Sequence, residues 1–408
     1  MARIRPFRAL RPPVERAADV AAVPYDVVNS EEAAALAKGN PWSFLHVSRP
    51  EIDLPAGTDL YSDEVYSKAK ENFDRLIAEC PLERDADPSL YLYRLRMGDQ
   101  EQTGLVACCS IDEYDTDRIK KHERTRRDKE DDRTRHLVTL GAQTGLVFLT
   151  YRGTGEIDTL VDDVTAGPPL YDFVAPDGIA HTMWRIAQPE RFVDGFAAVA
   201  DLYVADGHHR SASASRARAE LRDANPNHTG EEDYNFVLAV VFPADQLRIL
   251  PYNRTVKDLN GLTPEALLAA VAERFEIAEG ASPDPEKGAF AMYLGGRWYG
   301  LIPPAGSVDH RDPIASLDVS VLQDRVLAPL LAVEDPRTDK RIGFVGGIRG
   351  TAELERLVDS GKAAVAFSLY PTTLDDLMRI ADAGEIMPPK STWFEPKLRD
   401  GLVCHTIR

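Results

Sequence analysis

Apolar positions repeat along this chain with two different periods, and the switches between them mark its elements. LYLYRLRM and QTGLVACCSI, at 90–97 and 102–111, read as strands, with Gly98-Asp99 between them as a hairpin turn. YDFVAPDGIAHTMWRI, 171–186, reads as a second hairpin with Pro176-Asp177-Gly178 at its tip. FVLAVVFP, 236–243, is apolar throughout, as a fully buried strand is, and LRILPYNRTV after it predicts another. The helical period appears in YSDEVYSKAKENFDRLIAEC, 61–80, and in TPEALLAAVAERFEIAEG, where Thr263-Pro264 starts a helix that stops near Gly280. Near the start, VAAVPYDVVNSEEAAALAKGNPWSFLHVSRP reads as strand, turn, short helix and strand, with a helix start at Asn29-Ser30-Glu31-Glu32.

After the linker SPDPEKG, strands and helices alternate to the end: AFAMYL, RWYGLI, DVSVLQDRVLAPLL, RIGFVGG, TAELERLVDSG, AAVAFSLYP, TLDDLMRIADAG. The whole pattern predicts a mixed α/β (α+β) fold. At 408 residues the chain exceeds one ordinary core. The expected division is an N-terminal α/β segment at 1–110, a central core at 111–260, and a C-terminal α/β domain at 261–408 whose last motif returns to the active site. Residues 111–137, IDEYDTDRIKKHERTRRDKEDDRTRHL, break the pattern with charge of both signs. As a helix they would form several i,i+4 pairs, Glu123 with Arg127 among them.

Composition narrows the class. The net charge of −18 repels nucleic-acid backbones, so no nucleic-acid partner is expected. The four cysteines form no Cys-x-x-Cys pair, and Cys108-Cys109 lie in an apolar run, so they read as buried thiols of a reducing compartment. MARIRPFRALRPP lacks the apolar core of a secretory signal, and no stretch has the length of a membrane span. The expected location is the cytoplasm.

Candidate chemistry gathers in LYVADGHHRSASASRARAEL, 202–221, a strand, a turn and a helix. A helix N-terminus presents unpaired N–H groups and about half a positive charge, a natural phosphate site. Gly207 would let the backbone approach the ligand closely. His208, His209 and Arg210 add donors, and Mg²⁺ between Asp206 and a phosphate would reconcile the carboxylate with the anion. Adjacent histidines on a helix point about 100° apart and do not easily share one metal. RIGFVGGIRGTAEL is a second strand–glycine–helix stretch, equally a ligand site or a plain tight turn.

PFRALRP, VPYDVV, KHERT with DDRTRHL, VADGHHR, and MPPKSTWFEPKLRDGL together resemble the family known as domain of unknown function 1015, over nearly the whole chain. The central part, roughly 105–220, is similar to the free serine kinases of ParB/sulfiredoxin-like fold. That resemblance implies a nucleotide-binding core that phosphorylates free L-serine to O-phosphoserine with ATP or ADP and Mg²⁺. It implies Glu123 as general base, with Asp206 and His208 at the catalytic centre. It also implies that Gly207, His209 and Arg210 bind the nucleotide phosphates, that Asp206 holds the metal, and that His122 lies at the substrate. Lys390, Ser391, Thr392 and Lys397 would bind the substrate carboxylate or nucleotide, or else serve Pro-flanked packing around Trp393 and Phe394. Tyr25 and Asp26, and then Asn253-Arg254, are weaker candidates. The other readings are a nucleotide-binding regulator without turnover, and a metal-dependent hydrolase using Asp206, His208 and His209.

Overall fold

The apolar run 236–243 and the hairpin 91–110 form the centre of a mixed sheet in the computed structural model, which describes residues 2–407. The described chain divides into two units: one runs up to Leu247 and resumes at Pro396, the other is Arg248–Glu395.

In the first unit nine strands share one sheet. They are β1 (Ile4–Arg5), β2 (Tyr91–Met97), β3 (Gln100–Ser110), β4 (Ile119–Lys120), β5 (Val147–Tyr151), β6 (Tyr171–Val174), β7 (Ala180–Arg185), β8 (Leu202–Asp206) and β9 (Phe236–Pro243). Their order is β4-β8-β5-β9-β3-β2-β7-β6, with β1 alongside the far end of β3. The pairs β4–β8 and β5–β9 are parallel and the others antiparallel. All eight residues of β9 are buried, as its unbroken apolar pattern requires.

Five helices of this unit matter below: α1 (Ser30–Ala37), α2 (Asp63–Glu79), α3 (Arg127–Leu140), α4 (Gly155–Thr165) and α5 (Pro189–Ala197). A sixth, α6 (His208–Asp223), follows β8 directly. α1 starts where Asn29 predicts. The Asn29 side chain accepts from the Glu32 N–H and Glu32 reaches back to the Asn29 N–H, a reciprocal cap that stabilises by about 1 kcal/mol. α3 packs against α6 and against α2, while α4 packs against α5.

The second unit holds a six-stranded sheet, all antiparallel: β10 (Tyr252–Val256), β11 (Glu276–Glu279), β12 (Phe290–Leu294), β13 (Arg297–Ile302), β14 (Ile342–Gly346) and β15 (Val365–Leu369), in the order β11-β13-β12-β15-β10-β14. Its core gathers Phe275, Phe290, Met292 and Phe367 with Leu322, Val326 and Leu331.

Three expectations are corrected. FLHVS, expected as a strand, is a helical turn at Leu45–Ser48. The helix from Pro264 ends at Ala272, and FEIAEG becomes β11. The charged segment is not one helix: it is Ile111–Asp115, then β4, then a loop at 121–126, and only then α3. The four cysteines are free and buried, as expected. Among the described residues no helix is long and apolar enough to cross a membrane.

Gly104 of β3 shows how tightly the first sheet is built. A Cβ there would meet Val240 Cγ1 and Phe242 Cδ1 at 2.7 Å. Gly104→Ala should therefore destabilise the chain by about 1–3 kcal/mol through overpacking. A urea-unfolding midpoint equal to wild type would refute that close approach.

Candidate active site

Two short strands set the geometry. β4 and β8 run parallel, Ile119 beside Leu202 and Lys120 beside Tyr203, so the chain leaves both at the same edge of the sheet. KHER follows one and GHHR the other. The carboxyl ends of parallel strands are where open α/β sheets bind ligands. The register of β8 against β5 shifts between Val204 and Asp206, a bulge that re-aims the strand end. Gly207 then takes φ +95° and ψ 29°, a conformation glycine adopts without steric cost. Gly207, its N-cap residue, provides no side-chain cap to α6. Its first-turn N–H groups lack intrahelical acceptors and carry the positive end of its dipole.

The three basic residues that open α6 fan apart. His208 turns inward, 6% exposed, and sets its ring edge-on against His122 with centroids 4.4 Å apart. Burial pushes the His122 pKa down to about 4. Burial, then His122, holds His208 well below the usual imidazole range. His209 turns toward the chain entering α3, where its Nε2 accepts from the Arg126 N–H at 3.1 Å. Arg210 folds back over Gly207 and donates to the Leu146 carbonyl. Its guanidinium lies 3.6 Å from Asp26 and 3.9 Å from Asp206. Burial alone would lower the Arg210 pKa, but Asp26 and Asp206 outweigh it and raise it. Three consecutive side chains expected on one anion thus make three separate contacts, because a helix rotates each by about 100°.

Asp206 receives Lys397 Nζ on Oδ2 at 2.9 Å. Burial would raise its pKa, but Lys397 and then Arg210 hold it far below the usual carboxylate range. With one oxygen on an ammonium and the other facing a guanidinium, this carboxylate fits poorly as the expected Mg²⁺ ligand. Nor do Asp206, His208 and His209 converge, as the hydrolase reading needs. The potential ligand atoms that do converge are those of His122, Glu123 and His208, all within 4.8 Å of one another. Glu123 sits in the loop before α3, so the helical pairing with Arg127 does not arise.

The two ends of the first unit meet beside Arg210. Ala22 and Asp400 exchange backbone hydrogen bonds at 3.1 and 2.9 Å, which joins VPYD to KLRD. Tyr25, Arg133, Arg210 and Asp400 line a pocket of about 50 Å³, room for a small polar group and not for a nucleotide. Arg133 stacks over the Tyr25 ring at 4.2 Å. Burial pushes the Asp400 pKa up to about 7, against the pull of Arg210. Arg133 and Asp400 were not singled out from the sequence, although Asp400 lies three residues after Lys397 in the same motif.

The terminal motif straddles the two units. Lys397 belongs to the first, with Asp206, whereas Lys390, Ser391 and Thr392 belong to the second. There Arg254, 2% exposed, donates to the Tyr252 and Lys390 carbonyls. Lys390 takes φ +58°, and Ser391 Oγ donates to the Pro388 carbonyl at 2.6 Å. Thr392 is half-buried beside Trp393, which pairs with Leu250. These contacts fit the packing alternative for 390–392.

The family described as "Protein of unknown function (DUF1015)" matches residues 4–320, and this chain belongs to it. No curated protein matches the sequence. Among solved structures it is similar to a variant of a free serine kinase in complex with ADP, at 13% identity and TM-score 0.37, over 74% of this chain and 92% of that one. It is also similar to a conserved hypothetical protein from Pyrococcus furiosus, at 14% identity and TM-score 0.36, over 73% and 94%. SbnI with C-terminal truncation from Staphylococcus aureus gives 12% identity and TM-score 0.38, over 71% and 82%. Likenesses this distant carry no functional argument.

Asp400 generates a pH test. The fold keeps its proton up to about pH 7, whereas an unfolded chain keeps it only to about pH 4. The native state thus binds the extra proton, and this group's contribution to stability falls as pH rises through that window. Arg210, Asp26, Arg133 and Arg399 are the charges that act on it. The melting temperature of Asp400→Asn relative to wild type should rise from pH 4 to pH 8. A constant difference would show that Asp400 ionises normally.

Proposed function

We propose that this chain is a small-molecule kinase that moves a phosphoryl group from ATP or ADP to the hydroxyl of free L-serine, giving O-phosphoserine. The observation that carries the reading is the parallel pairing of β4 and β8, with Glu123 beside His208 at the N-terminus of α6. A serine hydroxyl is a poor nucleophile until a base takes its proton, and a carboxylate within reach does that in the transition state. The serine oxygen then bonds to the terminal phosphorus as the bond to the departing nucleotide oxygen breaks. What remains is positioning and charge neutralisation.

The first-turn N–H groups of α6 suit phosphate oxygens. Lys397 and Arg210 supply positive charge, and Asp206 acts as a positioning residue for both. Magnesium carried on the nucleotide would add to that neutralisation. His122 and His208, with pKa values held low by burial, stay uncharged at neutral pH. Glu123 therefore works beside neutral rings.

Purified protein with Mg²⁺, ATP or ADP and a panel of hydroxy amino acids should yield phosphoserine, read by mass spectrometry. Glu123→Gln should keep nucleotide binding and lose about 10²–10⁴ in turnover. A folded Glu123→Gln that loses nucleotide binding would reject the role given to Glu123. Bound nucleotide with no phosphorylated product would favour the regulator.

A further inference from the structure

We infer that His122, Glu123 and His208 form a binding site for one divalent ion of the borderline class, with Zn²⁺ as the fitting example. The ligand atoms already lie within 4.8 Å of one another, against roughly 3.3 Å between ligands in a tetrahedral Zn²⁺ shell. Small rotations of the three side chains close that gap. Two imidazoles and one carboxylate, with a position left open, are the donor set of many divalent transition-metal centres. Mg²⁺ prefers oxygen donors, and this set disfavours it.

The second observation is independent of the convergence. Both ring nitrogens of His122 and Nε2 of His208 are buried without a hydrogen-bond partner, on residues 2% and 6% exposed. Unmet buried polar atoms are rare because they lose water and gain nothing in exchange. Edge-on packing of two rings leaves those nitrogens unmet; a shared cation satisfies one on each ring. The Val204 carbonyl lies near His122, outside good hydrogen-bond geometry but close enough to favour its N–H. Metal-bound histidines commonly keep such an outer partner. The nearest ammonium on the same loop, Lys121, is held by the Tyr114 carbonyl at 2.6 Å and by Asp117.

The site stands without the kinase reading. If both hold, they compete for one carboxylate: with the ion bound, Glu123 cannot accept the serine proton, and Zn²⁺ inhibits turnover.

The test uses the full chain, stripped of metal by chelation and titrated with Zn²⁺ in excess Mg²⁺ by calorimetry. One saturable site per chain is expected. Glu123→Gln, at a half-buried position, should bind at least about tenfold more weakly, and His208→Ala should not bind. Co²⁺ should give visible absorption bands that change in Glu123→Gln. No saturable Zn²⁺ binding would overturn the inference, as would unchanged binding in Glu123→Gln with a wild-type circular dichroism spectrum. If His208→Ala does not fold, Glu123→Gln decides alone. Zn²⁺ binding without phosphoserine would remove the kinase and keep the site; phosphoserine without Zn²⁺ binding would do the reverse.

Discussion

The site depends on two residues of parallel pairing. β4 is only Ile119 and Lys120, at the edge of a nine-stranded sheet, yet its register decides which side chains meet the start of α6. Side chains alternate along a strand, so a slip of one residue against β8 would carry His122 away from His208. Such a short strand needs outside support. The Leu202 N–H donates to the Arg118 carbonyl at 3.0 Å, and Ile119 is buried in the main core of the unit. Lys121 closes the other end, with its ammonium 4.3 Å from the centre of the Tyr114 ring.

The second constraint is electrostatic. Asp26, Arg210, Asp206 and Lys397 form a line of alternating charge across three separate stretches of chain. Desolvating such groups is costly, and each is tolerable because its neighbours have the opposite sign. Removing one member leaves another partly buried and unmatched, so the line acts as a specification: the helix start, the Tyr25-Asp26 turn and the terminal motif must all arrive together. Asp400 lies beside Arg210 in this line, and burial holds its proton against the pull of that guanidinium.

Much of this was legible in the sequence, and the misreadings have physical causes. β9 and both hairpins are carried by strong local signals, apolar runs and turn residues. FLHVS and FEIAEG failed because short apolar runs carry no period of their own; packing on neighbours decided them. Asp206 to Arg210 was correctly placed on strand, turn and helix. His208, His209 and Arg210 are adjacent in sequence, but a helix turns each side chain by about 100°, so each meets a different neighbour. His122 with His208, and Asp26 with Arg210, are partners separated by dozens of residues or more, and a single sequence records no pairing between them. The mixed α/β class was expected, whereas the strand order follows from long-range register that periodicity does not encode.

The terminal segment has a temporal meaning. From Pro396 the described chain returns to the first unit after the whole of Arg248–Glu395 has been traversed. A ribosome making this protein must therefore complete the inserted unit before it releases the lysine that neutralises Asp206 and the strand, His405–Thr406, that pairs with Ala142–Gln143. Domains usually fold as they emerge, but here the first unit gains its last segment only after the insert has been made. A nascent chain cut short anywhere in the insert would carry every residue of DGHHR and still lack its last counter-charge.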